Sequence, residues 1–250
     1  MRRVREFLDR GGHVVCLSGN TMYWRVSQSD DGTILECRKV DAWWAQMAEY
    51  MRGECWHEHD GRRGGVPRDC GDPEWRTVGV EFAGARSLTP TSDGAFHVTD
   101  AAHPFFHTPH NSGLGEGDRF GYDRHNPGRQ PLGHESDVRL STLMDFTRRL
   151  PPLAGLPDDL HEPQGIRLLA VGKFGSDGRL GTVRDYAHRI LPDSARKVDD
   201  SLCDVIHWQR PGGGQVFAAP SIAAGWTLAV CPRWSTVMKN VLHQFGVPPG

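Results

Sequence analysis

Hydrophobic positions are spaced unevenly along the chain, and their period changes several times. Val4, Phe7 and Leu8 fall at i, i+3 and i+4 between charged residues, which predicts a helix closed by Gly11-Gly12. The apolar run 13–17 then predicts a short strand ending at Ser18-Gly19-Asn20. A helix without a cap running from Met1 into a strand suggests a chain that begins inside a domain. Residues 21–40 alternate around Asp30-Asp31-Gly32 and predict a hairpin, and 41–51 a helix with Asp41 near its start.

From Gly53 to about Pro163 the pattern breaks up. Gly, Pro, His and Asp dominate, with a strand expected at 77–82 and a helix at 141–149. The stretch 53–163 is therefore expected to be a long loop-rich insertion. The nearly continuous apolar run 166–174 suits a buried strand, and 180–191 has a helical pattern. Residues 204–210 and 215–219 flank Pro211-Gly212-Gly213-Gly214, the strongest hairpin signal in the chain. Val237, Val241, Leu242 and Phe245 share one face of a helix over 235–245 that Ser235 is expected to cap, with Gly246 and Pro248 beyond it. Helix and strand alternate at both ends, so the class is α/β, and the length allows one large or two small domains.

Composition narrows the function classes. The 29 basic and 31 acidic side chains of this 250-residue chain leave a formal charge of −2, which argues against a surface built to neutralise nucleic-acid phosphates. No 18-residue apolar run spans a membrane, and 1–12 lacks the apolar stretch of a secretory signal. Six cysteines without a C-x-x-C pair read as reduced thiols of a cytoplasmic protein. Arginine outnumbers lysine 25 to 4, which fits either coding bias in a GC-rich genome or a guanidinium-rich face.

Nine of the 13 histidines lie between 57 and 161. Cys55-Trp56-His57-Glu58-His59-Asp60 places thiol, imidazole and carboxylate side by side, a donor set for zinc or iron, or else a solvated polar loop. His103, His107 and His110 are interrupted by Pro104 and Pro109 and read as surface residues. His134-Glu135-Ser136-Asp137 pairs an imidazole with carboxylates suited to a general base. Trp24, Trp43, Trp44 and Trp56 would either pack a core or stack on a ligand. Cys16, mid-strand, reads as a buried small hydrophobe; Gly-x-Ser-x-Gly, the dinucleotide fingerprint and the P-loop are absent.

Residues 11–26 (GGHVVCLSGNTMYWRV) closely resemble a motif of the N,N-dimethylformamidase large (beta) subunit family. Residues 203–226 (CDVIHWQRPGGGQVFAAPSIAAGW) with the helix at 235–242 are similar to that family's C-terminal signature. Residues 53–65 (GECWHEHDGRRGG) and 77–84 (TVGVEFAG) resemble its central loop and following segment. The resemblance implies a single domain over 1–250 with a class I glutamine amidotransferase-like, flavodoxin-type sheet and helices on both faces. It also implies hydrolysis of small N-substituted formamides to formate and amine at a mononuclear iron held by tyrosines and a glutamate, with a histidine nearby.

By that resemblance His57 is the proton-transfer group and Glu58 a carboxylate partner; Asn20, Tyr23 and Trp24 line the substrate, and Glu58, His59 and Asp60 are the metal candidates. The chain departs from the family where Gly61-Arg62 replaces a usual Gly-Glu, since a guanidinium cannot replace a carboxylate ligand. A His-Pro-Glu-Tyr-like segment of the family would fall upstream of Met1, so the metal site is expected to be incomplete in this chain. The alternatives are a non-catalytic ligand-binding or assembly domain, or a truncated gene product. A small subunit or a second copy is the expected partner, with poor solubility or oligomerisation of the chain alone; neither nucleic acid nor membrane is expected.

Overall fold

The strand expected at 13–17 forms in the computed structural model, but its neighbours come from the other end of the chain. The structure describes residues 1–39, 54–85, 94–126, 129–150, 160–173, 182–197 and 199–248. The helix expected at 41–51, with Trp43 and Trp44, lies outside them.

The main sheet contains β1 (His13–Cys16), β5 (Ala95–Val98), β6 (Arg119–Phe120), β8 (Ile166–Lys173), β10 (Cys203–Gln209) and β11 (Gln215–Ala218), in the order β1-β11-β10-β8-β5-β6. The expected 204–219 hairpin is present as β10–β11, with His207 opposite Phe217. Only β1 and β11 pair in parallel, Val15 opposite Phe217; the other neighbours are antiparallel. In β8 the register shifts opposite Val205/Ile206, so Leu169 and Ala170 both join one core. Two smaller sheets complete the set: β2 (Val26–Gln28) with β3 (Leu35–Cys37), and β7-β4-β9 from Glu135–Val138, Glu81–Ala85 and Thr182–Val183. The stretch 53–163 thus supplies β5 and β6 to the main sheet and β4 and β7 to a small one.

The helices are α1 (Arg2–Asp9), the single turn α2 (Trp75–Val78), α3 (Leu140–Arg148) and α4 (Pro232–Gln244). Among the described residues the helices do not form a full layer on each face. On one face α4 sets Trp234, Val237 and Val241 against Phe96, Phe120, Phe217 and Val205. The other face is closed by Val78 and Val80, with Leu8 of α1 at the corner, over Val216, Ala218, Ile206 and Trp208. The class is mixed α/β, and the largely antiparallel order departs from the flavodoxin-type expectation. The cause is visible in the connections: the Pro-Gly-Gly-Gly turn is too short for a helical crossover.

Several local expectations shift for identifiable reasons. The strand expected at 77–82 splits, because α2 runs to Val78 and Gly79 caps it at φ +83° before β4 starts at Glu81. The helical pattern at 180–191 becomes β9 and a turn in which Asp185 Oδ1 accepts from the N–H groups of Ala187 and Arg189. Ser235 lies inside α4, its N–H bonded to Cys231 O, because Pro232 starts the helix three residues earlier. Among the described residues no helix is long and apolar enough to cross a membrane.

His103, expected at the surface, is buried, because the Pro104–Phe106 3-10 turn tucks it beneath the sheet. Its Nδ1 accepts from Phe105 N at 3.2 Å, which leaves Nε2–H to donate to His207 Nδ1 at 3.0 Å. His207 Nε2–H in turn donates to Gln215 Oε1 at 2.8 Å. Burial holds both imidazoles below their usual range, His103 down to about 4, helped by the charge of His207 and Arg167 against that of Asp100. A depressed histidine pKa means the unfolded chain takes up protons first. Stability is therefore expected to fall as pH drops from about 6.5 toward 4, by about 2 kcal/mol for His103 with solvent screening included. Urea unfolding at pH 7.5, 5.5 and 4.5 checks this, and His103→Gln should flatten the profile.

Candidate functional site

A tight turn after β1 carries the first family-matching side chains. The N–H groups of Asn20 and Thr21 donate to the two oxygens of Asp137 on β7, at 2.8 and 3.0 Å. Asp137 is completely buried, and burial raises its carboxyl to about 7 despite those two bonds. It therefore fastens a turn and does not serve the exposed general-base motif expected of 134–137. Gly19 is required here, since a Cβ would overlap the Glu135 carbonyl.

The turn delivers Tyr23 into the protein, against Phe82 (4.8 Å between ring centres), Trp24 (4.9 Å) and Val66. Burial pushes the Tyr23 hydroxyl up to about 12; the positive charges of Arg68 and Arg184 oppose this, and the acidic Glu74 and Asp69 add to it. Tyr23 thus stays a neutral hydrogen-bonding phenol at physiological pH. Asn20 contributes its backbone and leaves Oδ1 buried without a partner, while Trp24 lies beneath Lys39 at 5.3 Å.

Around Tyr23 three segments bring buried charges together. Arg68 comes from the 3-10 turn Pro67–Cys70, Glu74 precedes α2, and Glu81 begins β4. Arg68 Nε is 3.1 Å from Glu81 Oε1, and both side chains are almost wholly buried. Burial and then the charge of Glu81 raise the Glu74 carboxyl well above the carboxylate range, which favours its protonated form. Burial raises Glu81 too, while Arg68 stabilises its ionised form. Arg68 Nε also donates to His188 Nε2 at 3.0 Å, and its guanidinium lies 5.0 Å over the Tyr186 ring. His188 Nε2 is 3.5 Å from Asp69 Oδ2, and Arg184 Nη1 donates to His188 O at 2.7 Å.

Backbone strain marks the same place. The non-glycine residues with left-handed φ among those described are Asn20 (54°), Met22 (60°) and His188 (62°), all next to Tyr23 or Arg68. Such conformations cost on the order of 1–3 kcal/mol each and persist where surrounding contacts impose them.

The family-matching loop 54–65 lies beside this centre, joined through Gly65 O, which accepts from Arg25 N at 2.9 Å, and through Val66. His57 is 1% exposed, and neither ring nitrogen has a hydrogen-bond partner. Its Nδ1 lies 3.8 Å from Asp60 Oδ1, and the missing side chain of Gly64 leaves room for Nε2. The metal candidates do not converge. Glu58 is exposed and faces Arg38 at 3.3 Å, and His59 is exposed. Asp60 faces Arg25 at 3.8 Å and accepts from Arg62 N at 3.0 Å. Glu36 of β3 accepts from the N–H groups of Glu58 and His59, at 2.8 and 3.4 Å, which turns that stretch outward.

Among the described residues no three His, Cys, Asp or Glu side chains group to hold a metal ion. Within the buried set Arg68 already supplies the positive charge beside Glu81, while the carboxylate oxygens of Glu74 and Glu81 have no hydrogen-bond partner. The residues that pattern reading missed, Arg68, Glu74, Glu81, Arg184 and His188, had one visible signal: Glu81 interrupts an otherwise apolar run at 78–83.

A mixed α/β domain carrying a strained, charge-compensated polar centre under one end of its sheets is the class these features define. The chain belongs to the family described as N,N-dimethylformamidase beta subunit-like, C-terminal, whose model matches residues 1–239. No curated protein matches the chain.

Proposed function

We propose that the chain is the substrate-holding domain of a hydrolase of small N-substituted amides, working within a multi-subunit assembly. The observation that carries this reading is His57, buried with both ring nitrogens unpartnered in the loop whose Gly65 and Val66 join the Tyr23 centre. A buried polar group left unpaired costs about 1–3 kcal/mol, so a ligand that pairs with it gains correspondingly.

In this reading the neutral Tyr23 hydroxyl donates to the amide carbonyl oxygen, and Arg68 and Arg184 favour negative charge as it develops there. Water adds to the carbonyl carbon and gives a proton to His57, which passes it to the amine nitrogen as the C–N bond breaks, leaving formate and the amine. Iron, which the family resemblance implies, would require donors outside the described residues. A non-catalytic binding or assembly domain is the second reading, favoured by the internal compensation of Glu81 by Arg68.

The test measures N,N-dimethylformamide binding by calorimetry on wild type and His57→Ala, with metal content determined on both. Binding that weakens at least tenfold in His57→Ala, with no stoichiometric metal in either protein, is expected. Absent or equal binding in two folded proteins would overturn the substrate-holding role and leave the assembly domain. Stoichiometric iron or zinc in the chain alone would overturn the claim that its donors lie elsewhere.

A further inference from the structure

A cavity of about 510 Å3 opens at the start of α4, and it shares no residue with the Tyr23 centre. Arg119, Arg124, Arg233 and His125 line it, with Tyr122 and Val230 among its less polar wall, and no carboxylate is in the lining. That volume is in the range of small-molecule sites. The nearest acids only partly offset the arginines. Asp118 Oδ2 is 3.5 Å from Arg233 Nη1, while Asp123 is engaged by Arg129 at 3.7 Å and by His125 N at 2.9 Å.

The wall is also arranged for an anion with a flat body. The Arg119 guanidinium lies 5.4 Å over the Tyr122 ring, leaving an aromatic and an aliphatic surface together in one recess. No side chain caps the start of α4, where Cys231, Pro232 and Arg233 form part of the cavity wall. Guanidinium forks match phosphate oxygens bidentately, and Arg124 and Arg233 bring two of them into one cavity.

We propose that this cavity binds a small organic phosphate monoester, its phosphate between Arg124 and Arg233 and its body along Tyr122 and Val230. The site stands independently of the amide-hydrolase reading, which can fail without touching it.

Calorimetry on the full chain tests it with adenosine 5′-monophosphate, adenosine and succinate, in wild type and in Arg124→Gln/Arg233→Gln. The monophosphate is expected to bind at least tenfold more tightly than adenosine or succinate. Its affinity should fall at least tenfold in the double variant, whose thermal midpoint without ligand should stay near that of wild type. No binding of the monophosphate would overturn the proposal, and so would adenosine or succinate binding equally well. A folded double variant that binds like wild type would overturn it too. If the double variant unfolds, Arg124→Gln alone, at an exposed position, replaces it with a threefold loss as the criterion.

Discussion

Arg68→Met is expected to destabilise the protein by about 3–5 kcal/mol, roughly 10 °C in the thermal midpoint, because it strands Glu81 in the interior. Arg68 also donates to His188 and covers Tyr186, so one substitution loosens three segments together. The loss should depend on pH in a definite direction. Without Arg68, the largest influence opposing the burial that raises Glu81 is gone, and the folded carboxyl keeps a proton that the unfolded chain releases above about 4.3. A raised carboxyl pKa stabilises the fold below the unfolded value and loses that contribution as pH rises through the folded value. The deficit should therefore be larger at pH 8 than at pH 5, as read by urea unfolding at both. A deficit under 1 kcal/mol, or one that does not change with pH, would show that the pair contributes little. Arg68→Lys keeps the charge and should recover only part of the loss, since an ammonium cannot reproduce the fork that reaches both Glu81 and His188.

Trp234→Ala is expected to cost about 3–5 kcal/mol through a cavity in the main core. The indole is fully buried, its ring centre 5.6–6.1 Å from those of Phe96, Phe120 and Phe217, and Nε1–H donates to Ala224 O at 2.9 Å. Removing it takes from α4 its largest contact with the face that the helix covers. The deficit here should be flat between pH 5 and 8, in contrast to Arg68→Met, because no titratable group is among those contacts. Trp234→Phe should recover more than half of it. A loss below 1.5 kcal/mol for the alanine variant would mean that the aromatic cluster collapses into the space.

The two substitutions separate the kinds of order in this protein. Trp234 belongs to an element that local pattern announces: Val237 and Val241 repeat at helical spacing and both are buried in α4. Arg68 belongs to a centre that no local pattern announces. Its partners Glu81 and His188 stand 13 and 120 positions away in the chain, and Tyr23 lies 45 positions before it.

The matched loop shows both sides at once. Sequence likeness singled out His57, and the structure buries it with both ring nitrogens unpartnered. The same likeness placed Glu58, His59 and Asp60 beside it as metal donors. Glu36, from a strand 22 residues earlier, binds the N–H of Glu58 and turns that stretch to the surface. Glu58 then meets Arg38 rather than His57.

By itself the sequence determined the α/β class, the β10–β11 hairpin, β1, β8, the terminal helices and the family, because hydrophobic period, turn glycines and matched motifs are local properties. Only the tertiary structure decided that β1 joins β11 in parallel, that α4 covers one face of the main sheet, and that Tyr23, Arg68, Glu74, Glu81 and His188 share one buried centre. The physical reason is the cost of burying charge. An arginine or glutamate reads as a surface residue until long-range packing supplies its partner, and that partner can lie anywhere along the chain.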